Sequence, residues 1–142
     1  MKNRVRAVIV KNGKILLIKR TKPDLVYWVT PGGGVEAGET NKEALIRECK
    51  EELGVKIEVK DLILELISEK EETVGQKEYF YHVNILDGII GLGQGPEFQI
   101  NSGYSGQYDI EWVDIKSLSD VDLKPESIKS LLSEKYEADR IS

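Results

Sequence analysis

The feature that most restricts the fold is a glycine-rich loop that runs directly into a capped, glutamate-rich helix. The segment, PGGGVEAGETNKEALIRECKEELG, covers residues 31–54. Thr40 followed by Glu43 forms a capping box and Gly54 is a C-terminal stop, so the sequence predicts a helix that runs to about Leu53. Three of its carboxylates fall within five residues: Glu48, Glu51 and Glu52.

These three acidic side chains border the predicted core instead of pointing away from it. At about 100° per residue they span an arc of roughly 100°, and the adjoining arc is apolar: Leu45, Ile46, Cys49 and Leu53. Like charges at this spacing repel, whereas hard divalent cations such as Mg²⁺ prefer carboxylate oxygens. The pattern indicates a metal held on one helix face, with a solvated acidic surface as the alternative.

The loop before the helix supplies backbone groups for the same chemistry. Exposed amides of Gly33 and Gly34 can approach an anion, and carbonyls of the glycine run can approach a metal. Five residues separate Gly33 from Glu39, and seven separate Glu39 from the run RECKEELGV that begins at Arg47. This spacing matches the Nudix box, so the chain resembles the Nudix hydrolase family over residues 33–55 and in the order of the elements around them.

The resemblance implies a fold, a reaction and a set of site residues. The family fold is an α/β/α sandwich with a central mixed β-sheet. Its members, including small MutT-like proteins, use Mg²⁺ or Mn²⁺ to hydrolyse a diphosphate linkage in a nucleoside diphosphate joined to another moiety. Matched by position, the implied metal ligands are Glu48, Glu51, Glu52 and the backbone carbonyl of Gly32 or Gly33. In the same way, Glu39 is a supporting carboxylate and Arg47 orients the catalytic glutamates.

The proton acceptor of this reaction stays open among several carboxylates. We expect water to attack phosphorus in line, without a covalent enzyme intermediate. The base is one of Glu48 or Glu51, or an acid on a later loop, for which Glu97 and Asp109 are the candidates. The alternative for both loop residues is an ordinary exposed acid.

Basic residues on the first strands are further candidates for substrate contact. Arg20 closes a predicted strand in LLIKR, where it could meet a phosphate, and Arg4 and Arg6 could do the same. The alternative for each is a plain exposed charge.

Aromatic and other reactive side chains favour structural roles. Tyr27 and Trp28 could stack a base, although core packing is the stronger interpretation of the tryptophan. His82 lies within a predicted strand, where we expect it to be packed or on the surface. Cys49 takes the place of a larger aliphatic residue in the box, and a lone thiol on the core side is normally inert.

The rest of the chain predicts an α/β fold in a single domain over residues 1–142. Asn12-Gly13 joins two β-rich runs and predicts a hairpin. A short strand is predicted around Val26 to Val29, one or two strands in VKIEVKDLILELISEKEE, and one strand each in KEYFYHVNIL and DIEWVDI. A last helix is predicted to begin at Pro125. The glycine-rich stretch 88–106 predicts a long loop or a weak hairpin. Strands interleaved with two helices imply a mixed sheet.

Composition excludes several classes of protein. The chain has 142 residues, a formal charge of −5 and one cysteine, so an internal disulfide and a multi-cysteine metal site are excluded. The acidic balance argues against nucleic acid polymers, and no apolar run is long enough to span a membrane. No signal peptide pattern is present, so we expect a cytoplasmic protein.

Two classes of function remain in competition. The first is a hydrolase acting on a small-molecule nucleotide diphosphate derivative, and the second is a catalytically silent nucleotide sensor with the same fold. A sensor would be free to lose carboxylates, whereas this box keeps all of them. The oligomeric state is not encoded in any pattern; dimers are frequent among similar proteins, so a homodimer is allowed.

Overall fold

The computed structural model describes residues 2–68, 71–90 and 107–141, with side chains for all of these except 107 and 137–141. The described elements, in chain order, are eight strands and two α-helices: β1 (Arg4–Val8), β2 (Val10–Lys11), β3 (Lys14–Lys22), β4 (Leu25–Val29), β5 (Gly32–Gly34), α1 (Asn41–Leu53), β6 (Val55–Ile67), β7 (Lys77–Gly88), β8 (Gln107–Asp114) and α2 (Glu126–Ile141). Short 3₁₀ turns span Glu71–Thr73 and Ile115–Asp120.

The chain divides into two compact units. One contains residues 1–9 and 31–102, and the other contains residues 10–30 and 103–142. The first unit holds the loop and helix of the predicted box.

The sheet of the first unit has the strand order β5-β1-β7-β6. β1 runs parallel to β7 and antiparallel to β5, and β6 pairs antiparallel with β7. The helix α1 contacts β1, β5 and β6 through an apolar face whose members are fully buried: Ala44, Leu45, Cys49 and Leu53. The predicted α/β fold with a mixed sheet is therefore confirmed.

The sheet of the second unit is antiparallel and centres on β3, which pairs with β2, β4 and β8. Asn12 and Gly13 both adopt positive φ, 53° and 75°, which is the conformation of the hairpin turn that their sequence predicts. The helix α2 buries Ile128 and Leu132 completely. The predicted last helix is thus confirmed.

One part of the hairpin prediction needs correction. Only Val10 and Lys11 of the first β-rich run pair with β3 across the turn. The longer part of that run, Arg4–Val8, pairs with β5 and β7 instead. Side chains alternate in either arrangement, so the sequence pattern does not distinguish the two sets of partners. The stretch 91–106, which holds most of the predicted glycine-rich loop, lies outside the described residues.

Candidate active site

The helix α1 is fixed at both ends by the signals in its sequence. The Thr40 hydroxyl accepts a hydrogen bond from the Glu43 amide at 3.1 Å, and the Thr40 amide donates to the Glu43 carboxylate at 2.9 Å. At the other end, Gly54 has a φ of 75° and its amide donates to the Lys50 carbonyl at 3.0 Å. Both ends hold the backbone of the acidic residues in a defined register.

Arg47 organises the acidic residues around its guanidinium. Its Nε and Nη2 donate to the two carboxylate oxygens of Glu39 at 2.8 and 3.0 Å. Its Nη1 donates to Glu48 at 3.1 Å and to Glu51 at 3.3 Å, and Nη2 also donates to the Gly34 carbonyl at 3.0 Å. These bonds use every N–H donor that a guanidinium has, so the side chain is fully engaged.

This network shifts the pKa values of Arg47 and Glu39, which form its bidentate pair. The hydrogen bond from Arg47, helped by the Glu36 amide, holds the pKa of the Glu39 carboxyl below its ordinary value of 4.5. The same hydrogen bond to Glu39, together with the charge of Glu48, raises the pKa of Arg47 above its ordinary value. Arg47 therefore remains a cation, and Glu39 remains an anion down to acidic pH.

The glycine strand β5 lies directly against the acidic side chains. A Cβ added to Gly33 would lie 2.5 Å from Cδ of Glu48, so only glycine leaves room for that carboxylate. The Gly32 amide donates to Oε1 of Glu52 at 2.9 Å, and Glu52 is only 2% exposed. A Cβ on Gly32 would overlap the carbonyl oxygen of Val5, and its φ is 146°.

The residues present fit a hard divalent cation. One guanidinium faces three carboxylates, those of Glu39, Glu48 and Glu51. All the side-chain donors are carboxylate oxygens, the type that Mg²⁺ and Mn²⁺ take. Within the described ranges, no three acidic, histidine or cysteine side chains are already arranged to hold an ion. The carboxylates instead face Arg47 and the Gly32 amide.

The candidates in the second unit lie on its antiparallel sheet. Arg20 stacks over Tyr108, with its guanidinium carbon 5.4 Å from the ring centroid. Asp109 lies opposite Lys19 in the β3–β8 pairing. The Trp28 indole donates to the Glu111 carboxylate at 3.2 Å. The contacts of Arg20 and Trp28 are structural ones, and roles in substrate binding stay predictions.

Other predicted candidates lie on the first sheet or outside the described residues. Arg6 donates to Glu78 at 2.8 Å in a largely buried pair, and Arg4 is opposite Gly34. His82 lies mid-strand and is half-buried, opposite Val8. Glu97 lies outside the described residues.

Two predictions about the apolar face of α1 have different outcomes. Cys49 is fully buried, as predicted, and burial raises the pKa of its thiol, with the nearby charges of Glu52 and Glu48 adding to the rise. Ile46 was expected in the core by its place on the helix wheel, and this is wrong because its side chain is 41% exposed. The other apolar residues of that arc, Leu45, Cys49 and Leu53, are fully buried.

Two backbone contacts of the site are absent from the sequence prediction. Gly34 meets Arg47 through its carbonyl, and Gly32 meets Glu52 through its amide. The prediction gave Gly34 an anion-binding amide and Gly32 a metal-binding carbonyl. The sequence shows that glycines precede the helix, but which backbone group faces it depends on the pairing of β5 with β1.

The comparisons with known proteins all point to one family. The chain matches the NUDIX domain over residues 1–132. It is 32% identical over 123 residues to a nucleoside triphosphatase NudI of Enterobacter sp. (strain 638), covering 82% of this chain and 84% of that protein. It is 50% identical over 60 residues to an ADP-ribose pyrophosphatase of Methanocaldococcus jannaschii, but these cover only 42% of this chain and 36% of that protein.

A solved structure supports the fold. The MutT structure from Aliivibrio salmonicida and Vibrio cholerae superposes with a TM-score of 0.70 at 21% identity, covering 94% of this chain and 96% of that one. Among the helices in the described part of the chain, none has the length and apolar character needed to cross a membrane.

Proposed function

Because the chain belongs to the Nudix hydrolase family, we propose that it cleaves a diphosphate linkage in a nucleotide derivative with the help of Mg²⁺ or Mn²⁺. The observation that carries this proposal is the cluster of Arg47 with Glu39, Glu48 and Glu51 beside the glycine strand β5. A structural acidic surface would not need glycine at position 33, where a Cβ would strike the Glu48 carboxylate.

The residues that would hold the metal ion are Glu48, Glu51 and Glu52, together with a backbone carbonyl of Gly32 or Gly33. When bound there, a divalent ion would activate water and offset the charge of a diphosphate. Arg47 keeps its carboxylate partners in place through its bonds to Glu39 and to the Gly34 carbonyl. Glu39 therefore acts through Arg47 as a positioning residue.

We assign the proton-accepting role to Glu51 among the described acids. Its side chain is 46% exposed, against 17% for Glu48, so water reaches Glu51 more easily than it reaches Glu48. Its second carboxylate oxygen is not used by Arg47, which leaves an acceptor for a proton. Glu97 and Asp109 stay alternatives, each to be tested by its own amide variant.

The comparisons support a nucleoside triphosphate as the first substrate to test. The relative named for that activity aligns with 82% of this chain, whereas the relative named for ADP-ribose aligns with 42%. With a nucleoside triphosphate or with ADP-ribose, the chemistry is the same. Water adds to one phosphorus, the bridging P–O bond breaks, and the leaving phosphate takes the bond electrons.

The test is phosphate or diphosphate release from a nucleotide panel with Mg²⁺ or Mn²⁺, comparing wild type with Glu52→Gln. The amide still accepts the Gly32 hydrogen bond, so the variant removes charge with little change in shape. We expect activity to fall about 100-fold or more, since a charged ligand supports several kcal/mol of charge stabilisation. Glu134→Gln, an exposed acid on α2, is the matched control.

Two results would contradict the proposal. Full activity of Glu52→Gln would show that the ligand assignment is wrong. Absence of hydrolysis across a broad panel would favour the silent nucleotide sensor, which would still bind a nucleotide without cleaving it.

A further inference from the structure

A cavity lies at the C-terminal end of α1, on the side of the helix away from the acids. At about 100° per residue, Ile46 and Lys50 each lie roughly 160° from Glu48 around the helix. The cavity has a volume of about 460 Å³, within the range of small-molecule sites. It is called here the basic cavity, and its walls come from α1 and its cap (Ile46, Lys50, Gly54), β6 (Val55, Lys56) and the end of β7 (Asp87, Gly88).

Two glycines shape the floor of the basic cavity. Gly54 has a φ of 75° and Gly88 a φ of 107°, both in the region that favours glycine. A Cβ on Gly88 would lie 2.7 Å from the Gly54 carbonyl oxygen and 2.9 Å from Cα of Val55. The end of β7 can approach the turn after α1 only because position 88 has no side chain.

The walls combine apolar surface with two lysine side chains, Lys50 and Lys56. Ile46 is 41% exposed there, and the lining is mostly apolar. Lys50 and Lys56 form no ion pair within the described part of the chain. The Asp87 carboxylate accepts from the Gly88 amide at 2.9 Å, which engages one of its oxygens. Two lysines and one aspartate therefore line the cavity, in a chain whose formal charge is −5.

We propose that the basic cavity binds a small amphipathic anion, with an apolar ring against the exposed side chain of Ile46 and a phosphate-type group between Lys50 and Lys56. Charge complementarity selects an anion, since two lysines and one aspartate line the cavity. The apolar wall selects a molecule with a ring or chain over a bare ion. The site is independent of the proposed hydrolysis, although its occupant would contact the helix that carries Glu48.

The test uses 1-naphthyl phosphate as the probe, titrated by calorimetry in EDTA so that no divalent metal is present. Inorganic phosphate and 1-naphthol are titrated in parallel, because the proposal requires both halves of the molecule. We expect the naphthyl phosphate to bind at least about tenfold more tightly than either fragment. Equal binding of inorganic phosphate, or equal binding of 1-naphthol, would overturn the proposal.

Charge-reversal variants locate the binding. In Lys50→Glu/Lys56→Glu the Kd should rise about tenfold or more, while Lys14→Glu/Lys42→Glu, which changes the net charge equally at two exposed lysines, should change it less than about twofold. An equal loss in both variants would mean nonspecific attraction and overturn the proposal. If Lys50→Glu/Lys56→Glu has a lowered melting temperature, Lys50→Gln/Lys56→Gln replaces it. An unchanged Kd in that variant would also overturn the proposal.

Amide chemical shifts give a reading that does not depend on affinity. When wild-type protein is titrated with 1-naphthyl phosphate, the amide resonances of Gly54, Lys56 and Gly88 should shift. Shifts confined to Gly32–Gly34 would place the probe beside Glu48, Glu51 and Glu52 and contradict the proposal.

Discussion

Replacing Gly33 by alanine tests whether the position of the Glu48 carboxylate matters for catalysis. The added Cβ would lie 2.5 Å from Cδ of Glu48, whereas carbon atoms in contact normally stay about 3.5 Å apart. The carboxylate must therefore retreat by about 1 Å. Misplacement by about 1 Å can lower a rate about 100-fold, which corresponds to about 2.7 kcal/mol in the activation barrier.

The neighbouring glycine gives a matched control. In Gly34→Ala the nearest atom to the new Cβ is the side-chain Cδ of Lys2 at 3.4 Å, an ordinary contact with a flexible chain. Both positions lie in β5 and neither has a positive φ between 20° and 160°. The two substitutions therefore differ mainly in whether they displace Glu48.

The assay is kcat/KM for nucleotide hydrolysis with Mg²⁺, alongside thermal unfolding of each variant. We expect Gly33→Ala to lose about 100-fold and Gly34→Ala to stay within about threefold of wild type. Equal losses in the two variants would mean that any Cβ added to β5 lowers activity, whether or not it displaces Glu48. Wild-type activity in Gly33→Ala would show that the place of Glu48 against β5 does not matter.

Three further predictions follow from the same contacts. Arg47→Lys keeps the charge but cannot make the bidentate pair, so the unfolding free energy should fall by about 2 kcal/mol in urea titrations; unchanged stability would contradict the network. The pKa of Glu39 is lowered on folding, so the ionised carboxylate stabilises the folded state. This stabilisation is complete at pH values above the ordinary pKa of 4.5, and it is lost as the pH falls through the lower pKa of the folded state. Glu39→Gln should flatten the acid part of a melting-temperature profile, and an unchanged profile would refute this. The buried Cys49 thiol, whose pKa burial raises, should react with a disulfide reagent only after denaturation; rapid reaction of the native protein would count against it.

The helix of the site could be predicted from sequence because its signals are local. The capping box at Thr40 and the stop at Gly54 depend on residues within one turn of each end. The same is true of the Asn12-Gly13 turn, whose residue types fix its conformation. These elements have the predicted bounds to within a residue or two.

Contacts between distant segments could not be predicted in this way. The bond from the Gly32 amide to Glu52 joins residues 20 positions apart, and no periodicity encodes it. The partners of β1 depend on which strands the whole chain brings together, since alternation shows the face of a strand but not its neighbours. For the same reason the helix wheel placed Ile46 in the core, although the sheet leaves it exposed.

The central claim is that Glu48, Glu51 and Glu52 together hold a divalent metal ion beside β5. Mn²⁺ binding, counted by electron paramagnetic resonance of the free ion, tests this without any substrate. Wild type and Glu134→Gln should bind Mn²⁺ with the same affinity, and the triple variant Glu48→Gln/Glu51→Gln/Glu52→Gln should lose it by about 100-fold or more. Undiminished Mn²⁺ binding by the triple variant would contradict the account.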